Sequence, residues 1–430
     1  MKEYDVIIVG GGPGGYAAAV SAREAGLKTA VVEKELLGGV CVNFGCVPTK
    51  ALVRYAAVHK RAKGGPAPSF KEASVESRKV AGERSEHIHA LLRELGCDLY
   101  NQEGRLTGEG KVALSPSGEV IRGRNILLAT GSHSRRLPIA QYCANIFTTR
   151  EALLLEEVPA SAAVIGSGAT GIELATVWAR FGAKVTVLEM LPTIMGLGDE
   201  ELTGEAAAFF RDNEGMEIRT GASVQSVDEV PGGAVVTYKD AEGTHSLEVE
   251  KVLVAAGVVP TSEGLGLEEL GVEMTRGYVN IDERMRTNVP GLYAVGDVTG
   301  KLALAFTASM QAKAAIADMA GAEPITVDYD NIPRCVFSAD ESGAVGLSEK
   351  QAADRGYEVE VRRGPLVSFD GRLVGVGAGS YKIVADRATG KALGVTLLGA
   401  DAADRIAGPA RLLTLGAGAD LVEQVVSSGR

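Results

Sequence analysis

Tyr4-Asp5-Val6-Ile7-Ile8-Val9-Gly10-Gly11-Gly12-Pro13-Gly14-Gly15 begins as an apolar strand and ends in a turn with five glycines. The residues after it read as a helix from about Gly14 to Ala25 and a second strand from Lys28 to Glu33, so the chain opens with a βαβ unit. Glycines let the backbone come close to a pyrophosphate at the helix N-terminus, and an acid closing the next strand, here Glu33, accepts from a ribose hydroxyl. A near copy follows: strand Ala162 to Ile165, turn Gly166-Ser167-Gly168-Ala169-Thr170-Gly171, helix Ile172 to Phe181, strand Lys184 to Glu189. The last glycine of each turn precedes its glutamate by eighteen residues, Gly15 to Glu33 and Gly171 to Glu189. A lone glycine turn is weak evidence, but each of these has its strand, helix and terminal acid. Two copies imply two dinucleotides. At the second, Glu189 would face a 2′-phosphate with like charge, which costs several kcal/mol, and Met190-Leu191-Pro192 brings no cation to offset it. NAD(H) is therefore expected there in preference to NADP(H).

Between the copies the pattern predicts helices over Ala51 to Ala62 and about Phe70 to Leu95, separated by Gly64-Gly65-Pro66-Ala67-Pro68. A small meander from Cys97 to Leu128 follows, ending in the buried strand Asn125 to Leu128 and the turn Ala129-Thr130-Gly131-Ser132. Ser223 to Val254 alternates in the same way, and Val252-Leu253-Val254-Ala255-Ala256-Gly257 mirrors the Leu128 strand, so the duplication includes the strand that closes each sheet. Beyond Leu292-Tyr293-Ala294-Val295-Gly296-Asp297 a helix runs from about Ala305 to Ala320. From Ile332 antiparallel-looking strands and helices mark a separate C-terminal domain. The expected division is residues 1–148 with 270–330, residues 149–269, and residues 331–430.

The stretch Gly38-Gly39-Val40-Cys41-Val42-Asn43-Phe44-Gly45-Cys46-Val47-Pro48-Thr49-Lys50 holds two of the five cysteines. In a regular helix they would lie roughly 7.5 Å apart along the axis, whereas a disulfide needs Cα atoms within about 7 Å. The segment must then be a turn or a distorted helical start, which Gly45 and Pro48 permit. A thiolate at Cys46 would sit near a helix N-terminus, where charge is favoured. The reading is a redox-active disulfide; the alternatives are two buried thiols or half of a metal site. Cys97, Cys143 and Cys335 are too scattered to complete a metal site, and no metal is expected.

The net charge of −11 and pI near 5.2 argue against nucleic acid and anionic membranes as partners. The longest charge-free run, Val6 to Ala22, is interrupted by the glycine turn and cannot span a membrane. Few cysteines and no signal-peptide pattern point to a cytoplasmic protein.

Together these motifs resemble the flavin-dependent pyridine nucleotide-disulfide oxidoreductases, most closely the dihydrolipoamide dehydrogenase branch, over nearly the whole chain. The resemblance rests on Gly10 to Gly15, the Gly38 to Lys50 stretch, Ala129 to Ser132, the second glycine turn and Tyr293 to Asp297. It implies an α/β fold of two Rossmann-like domains, the first for FAD and the second for NAD, plus a C-terminal α+β dimerisation domain and a homodimer. It implies that a dithiol or lipoyl-protein substrate exchanges with Cys41, that Cys46 faces the flavin, and that Lys50, paired with Glu173, stabilises charge on the reduced ring. The cofactor-binding residues it implies are Gly10, Gly12, Gly14, Gly15, Glu33, Lys34, Gly39, Lys50, Gly104, Thr130, Gly131, Ser132, Asp297 and Ala305, with Gly166, Gly168, Gly171, Glu189, Val224 and Gly257. It also implies a C-terminal His-x-His-Pro-Thr-x-(Ser/Thr)-Glu segment carrying the acid–base histidine. Val425 to Arg430 stand about where that segment would begin, and His59, His87, His89, His133 and His245 all precede the C-terminal domain. Three readings stay open there: a shortened chain, a member with another base, and a flavoprotein subunit that binds FAD and NAD(H) without efficient disulfide turnover and acts with a partner.

Overall fold

The computed structural model describes residues 1–62, 65–108, 110–196, 198–366 and 379–428. Gly64 of the expected helix break and Gly429-Arg430 at the chain end lie outside them. By compactness the chain forms two units, one of Met1–Pro48, Glu76–Ser134 and Val258–Tyr329, the other of Thr49–Val75, Arg135–Gly257 and Asp330–Arg430.

The opening apolar run forms β1 (Glu3–Val9), with Val6, Ile7 and Ile8 fully buried, as expected of a central parallel strand covered on both faces. Helix α1 (Pro13–Glu24) has Pro13 at its start, where the missing N–H is no loss, and returns the chain to β2 (Thr29–Val32) beside β1. Next come α2 (Gly39–Phe44), α3 (Cys46–Arg61) and α4 (Phe70–Glu94). The sequence pattern starts a helix at Ala51; α3 starts at Cys46 instead, because the distortion is confined to Gly45, at φ −151° and ψ −112°. Pro48 then falls in the first turn, where proline is tolerated. Strand β3 (Asp98–Tyr100) does not join the expected meander but pairs parallel with β2. The meander is β4 (Glu103–Gly108), β5 (Lys111–Ser115) and β6 (Val120–Leu128), whose far half runs parallel to β1. Short β7 (Ser132–Ser134) follows.

In the second unit β8 (Ile146–Phe147) and α5 (Thr149–Ala152) lead into the second βαβ, β9 (Ser161–Ile165), α6 (Ala169–Arg180) and β10 (Lys184–Leu188). Helix α7 (Glu200–Glu214) and β11 (Glu217–Arg219) extend it, β12 (Ser223–Val230), β13 (Gly233–Asp240) and β14 (Gly243–Val249) form the second meander, and β15 (Lys251–Val254) closes the sheet. Its order is β11-β10-β9-β15-β8, parallel throughout. Gly171 to Trp178 of α6 are all buried, and Trp178 belongs to the core packed against this sheet.

The first unit is completed by β16 (Val258–Pro260) against β7, the hairpin β17 (Met274–Thr275) and β18 (Tyr278–Val279), then β19 (Leu292–Ala294), parallel to β6. The main path of its seven-stranded sheet is β3-β2-β1-β6-β5-β4. A single 3₁₀ turn, Gly296–Thr299, links β19 to α8 (Ala305–Met319). The C-terminal region of the second unit holds β20 (Arg334–Val336), β21 (Ser342–Gly346), α9 (Glu349–Asp354), β22 (Val359–Leu366), β23 (Gly379–Asp386), β24 (Ala392–Leu398), α10 (Ala402–Arg405), α11 (Ala407–Thr414) and α12 (Ala419–Ser427). Its sheet is antiparallel, β20-β21-β24-β23-β22, as the change of pattern at Ile332 implies.

Candidate functional site

The two glycine turns have the same geometry. Gly10 and Gly166 lie at φ +107° and +103°, and a Cβ on either would meet the carbonyl oxygen of Ala129 at 2.3 Å or of Ala255 at 2.5 Å. A Cβ on Gly15 would sit 1.9 Å from the Gly10 oxygen, and one on Gly171 2.0 Å from the Gly166 oxygen, so each helix rests directly on its turn. Gly14 is less tightly held, since its Cβ would lie 3.1 Å from the side-chain methyl Val295 Cγ2. Gly12 and Gly168 are the N-cap residues of α1 and α6. Both acids fold back onto their turns. Glu33 accepts from the N–H groups of Gly11 (2.7 Å) and Glu35 (2.8 Å), and Glu189 from those of Ser167 (2.8 Å) and Leu191 (2.9 Å) and from the Ser167 hydroxyl (2.7 Å).

Dinucleotides fit these turns. Neither α1 nor α6 has a side-chain cap or an acid in its first turn, so the N-terminal N–H groups have no competing carboxylate. A Cβ on Gly168 would meet nothing within 4 Å, and one on Gly12 only Gly39 Cα at 3.9 Å. Around the first turn, Ser132 Oγ donates to Asp297 Oδ2 at 2.6 Å and Thr130 Oγ1 to the Thr261 carbonyl at 2.7 Å, while Gly131 turns the chain at φ +68°. Burial holds the Asp297 carboxyl above its usual range, with the Ser132 hydrogen bond pulling the other way. Ala305 opens α8, also without a side-chain cap. Lys34 stands on the surface beside Glu103 at 3.7 Å. Gly104 faces the sheet interior, where a Cβ would press on Val32 and Val112 at 3.0 and 3.1 Å. In the second unit Gly257 turns at φ +90° and Val224 sits at a bulge in β12.

The cysteine stretch is tied to the first turn. The Gly38 N–H donates to the Gly11 carbonyl at 2.8 Å, and a Cβ on Gly39, at φ +58°, would lie 2.8 Å from Gly12 Cα. Half-buried Cys41 lies in α2, and exposed Cys46 is the first residue of α3. Tyr16 in α1, which sequence reasoning missed, shares their electrostatic environment. Its phenol is pushed up by burial and by Cys41 and Cys46, with Arg84 opposing. Its one available signal is its place in the first turns of the helix behind the glycines.

Lys50 and Glu173, joined in the sequence reading only by resemblance, meet in the second unit, where Lys50 Nζ donates to both carboxylate oxygens at 2.9 and 2.8 Å. The Glu173 side chain is 1% exposed and that of Lys50 36%. Burial raises the Glu173 carboxyl, while Lys50 and the Phe337 N–H, which donates to Oε1 at 3.0 Å, work against it. The Phe337 ring lies 5.2 Å from Lys50 Nζ. No local signal marks Phe337. Away from the predicted residues, Asp240, Glu242 and His245 gather within 4.8 Å around the hairpin between β13 and β14. Asp240 there accepts from the Glu242 N–H and bonds to His245 at 2.9 Å, with Arg219 beside it, as a turn cap does. Among the described residues no helix is long and apolar enough to cross a membrane.

Residues 4–312 match the family model described as pyridine nucleotide-disulphide oxidoreductase, and residues 332–428 match the dimerisation domain of the same family, which supports a homodimer. The chain is 39% identical over 419 residues to the dihydrolipoyl dehydrogenase of Chlorobaculum tepidum, spanning 94% of this chain and 89% of that one. It is 34% identical over 441 residues to the dihydrolipoyl dehydrogenase of Bacillus subtilis, spanning 96% and 92%. Among solved structures it resembles LpdA of Mycobacterium tuberculosis (TM-score 0.87, 26% identity, 97% and 94% covered). It also resembles the Cu(II) complex of the HOCl-induced flavoprotein disulfide reductase RclA of Escherichia coli (TM-score 0.88, 26% identity, 100% and 99% covered). The chain belongs to the pyridine nucleotide-disulphide oxidoreductases and is a flavin-dependent disulfide oxidoreductase that uses FAD and NAD(H).

Proposed function

We propose that this enzyme oxidises a dithiol of the dihydrolipoyl type, free or carried on a protein, through a Cys41–Cys46 disulfide, with NAD+ as final acceptor. The observation that carries the reading is the attachment of the cysteine stretch to the first glycine turn, Gly38 N–H to Gly11 carbonyl and Gly39 against Gly12. The names of the relatives at 34–39% identity support the substrate class. FAD held at the first turn supplies two-electron transfer between thiols and NAD+. One substrate thiolate attacks Cys41 Sγ, breaking the Cys41–Cys46 bond and leaving Cys46 as a thiolate at the start of α3, where the helix N-terminus favours negative charge. The second substrate thiol displaces Cys41 and closes the substrate disulfide. Net, the dithiol loses two electrons and two protons, and NAD+ becomes NADH with release of one proton. Lys50, held by the Glu173 carboxylate that the Phe337 N–H also binds, is the residue assigned to stabilise negative charge on the reduced flavin. Glu33 and Glu189 take the adenosine riboses of FAD and NAD, and Asp297 takes the flavin's ribityl chain. The FAD domain is residues 1–148 with 270–330, the NAD domain 149–269 and the dimer domain 331–430. A catalytic disulfide cycling with NAD(H) suits the cytoplasm.

The test is steady-state oxidation of dihydrolipoamide by NAD+, beside anaerobic NADH titration followed in the visible spectrum. Wild type should turn over and develop a long-wavelength thiolate–flavin absorption. Cys46→Ser should keep its FAD and lose both. Dithiol turnover that survives in Cys46→Ser refutes the relay, and turnover with other disulfides alone refutes the substrate class. Sedimentation should give twice the chain mass of 44.6 kDa.

A further inference from the structure

Strand β19 ends at Ala294, and the chain then makes one 3₁₀ turn, Gly296–Thr299, before α8. Asp297 lies in that turn. Its Oδ2 is held by Ser132 Oγ at 2.6 Å, and among the described residues no hydrogen bond is made by its other oxygen. What fixes the turn itself is Gln311, two helical turns into α8 and 0% exposed. A buried primary amide is costly unless its acceptor and donors are used, and those of Gln311 are. Oε1 accepts from the Gly296 N–H at 2.6 Å, while Nε2 donates to the Tyr329 hydroxyl at 2.9 Å and lies 3.5 Å from Thr299 Oγ1. Thr299 Oγ1 donates to the Gly296 carbonyl at 2.8 Å, so one side chain grips both ends of the turn. The turn is also closely packed: a Cβ on Gly296, at φ +76°, would be 3.3 Å from the Ala308 methyl. Among the described residues no second side chain bonds to the Gly296 N–H. Tyr329 braces the amide from a residue well past the end of α8, and burial pushes its phenol up while the Gln311 hydrogen bond pulls the other way.

We propose that Gln311, braced by Tyr329, is a positioning residue that sets the Asp297 carboxyl for the flavin and thereby controls how tightly FAD is held. This rests on the reading of Asp297 as a flavin contact. Leucine at 311 leaves the buried Gly296 N–H unpaired and frees the turn. Glutamate, taken up protonated at this depth, still accepts from Gly296 and donates to Tyr329.

The experiment follows FAD release from holoenzyme on dilution, by flavin fluorescence. The variants are Gln311→Leu, Gln311→Glu, Tyr329→Phe, Asp297→Ala and the double variant Asp297→Ala/Gln311→Leu. Asp297→Ala and Gln311→Leu should each speed release about tenfold or more, and Gln311→Glu should stay within about threefold of wild type. The double variant should release FAD within about twofold of Asp297→Ala alone, because Gln311 acts through that carboxyl. A purely structural role would make the two effects multiply, and that result overturns the proposal. Release at the wild-type rate in Asp297→Ala overturns instead the flavin reading of Asp297. Fast release in Asp297→Ala with wild-type release in Gln311→Leu overturns the positioning role alone. If Gln311→Leu yields no folded protein, Tyr329→Phe takes its place and should speed release about threefold, with the same non-additivity against Asp297→Ala.

Discussion

Replacing Lys50 with methionine tests the buried ion pair where its two halves differ most. Glu173 is 1% exposed and makes three hydrogen bonds, two of them to Lys50 Nζ at 2.8 and 2.9 Å and one to the Phe337 N–H at 3.0 Å. Lys50→Met removes two charge-assisted bonds and leaves a buried carboxyl with a single donor. Removing one partner of a buried pair costs about 3–5 kcal/mol. The Lys50 side chain is 36% exposed, so part of the pairing energy is already lost to water, and Glu173 can take up a proton. The expected loss is therefore about 2–4 kcal/mol at pH 8. Glu173→Gln leaves the other partner behind, a cation that water reaches, and keeps an acceptor for Phe337; about 1 kcal/mol is expected. The pH dependence has a definite sign. Burial raises the Glu173 carboxyl in the folded state above its unfolded value, so the fold binds this proton more tightly and stability falls as pH rises through the folded value. Without Lys50 the folded value rises further. The deficit of Lys50→Met relative to wild type should be smallest near pH 5 and grow toward pH 8. Urea unfolding of the holoprotein at several pH values measures it. A deficit that does not change with pH, or a larger loss in Glu173→Gln than in Lys50→Met, refutes the reasoning.

The paired glycines make a second prediction. With a Cβ 1.9 Å from the Gly10 oxygen, Gly15→Ala should be purified without flavin absorbance, while Gly171→Ala, 2.0 Å from the Gly166 oxygen, should keep FAD and bind NADH at least tenfold more weakly in a fluorescence titration. Normal NADH binding in Gly171→Ala would sink the assignment of the second turn. A third concerns Asp340, 7% exposed and pushed up to about 7 by burial and by Glu205 and Glu341. A carboxyl raised in the fold subtracts stability as pH rises, so Asp340→Asn should match wild type near pH 4 and gain on it up to pH 7, by at most about 4 kcal/mol. Denaturant midpoints across that range check it, and a gain that shrinks with pH contradicts it.

Both βαβ units were legible because their signals are local. An apolar strand, glycines that allow close backbone approach and an acid at a set distance are all written within thirty residues. The same locality limits what could be read. That Cys46 lies at a helix N-terminus follows from Gly45 and Pro48, but α3 starts five residues before the hydrophobic pattern does, since a first turn containing proline carries no apolar stripe. Strand β3 read as part of a meander because alternation does not name its partner; its pairing with β2 depends on a neighbour more than sixty residues earlier. Phe337 and Gln311 carry no motif: Phe337 acts on Glu173 from a distant segment, and Gln311 reaches Gly296 through a buried side-chain amide that no periodicity marks. The two acids show how far a motif reaches. Sequence spacing assigns Glu33 and Glu189 to a ribose, whereas the structure gives each carboxylate a prior task, holding one backbone N–H of its glycine turn and one two residues beyond itself. Each oxygen retains lone pairs after that. The carboxylate is thus fixed in place before any hydroxyl arrives, and the ordering entropy of the contact is already met by the fold. By that argument, substituting either glutamate should loosen its turn as well as remove a ribose contact, and the loss in dinucleotide affinity should exceed that of one hydrogen bond.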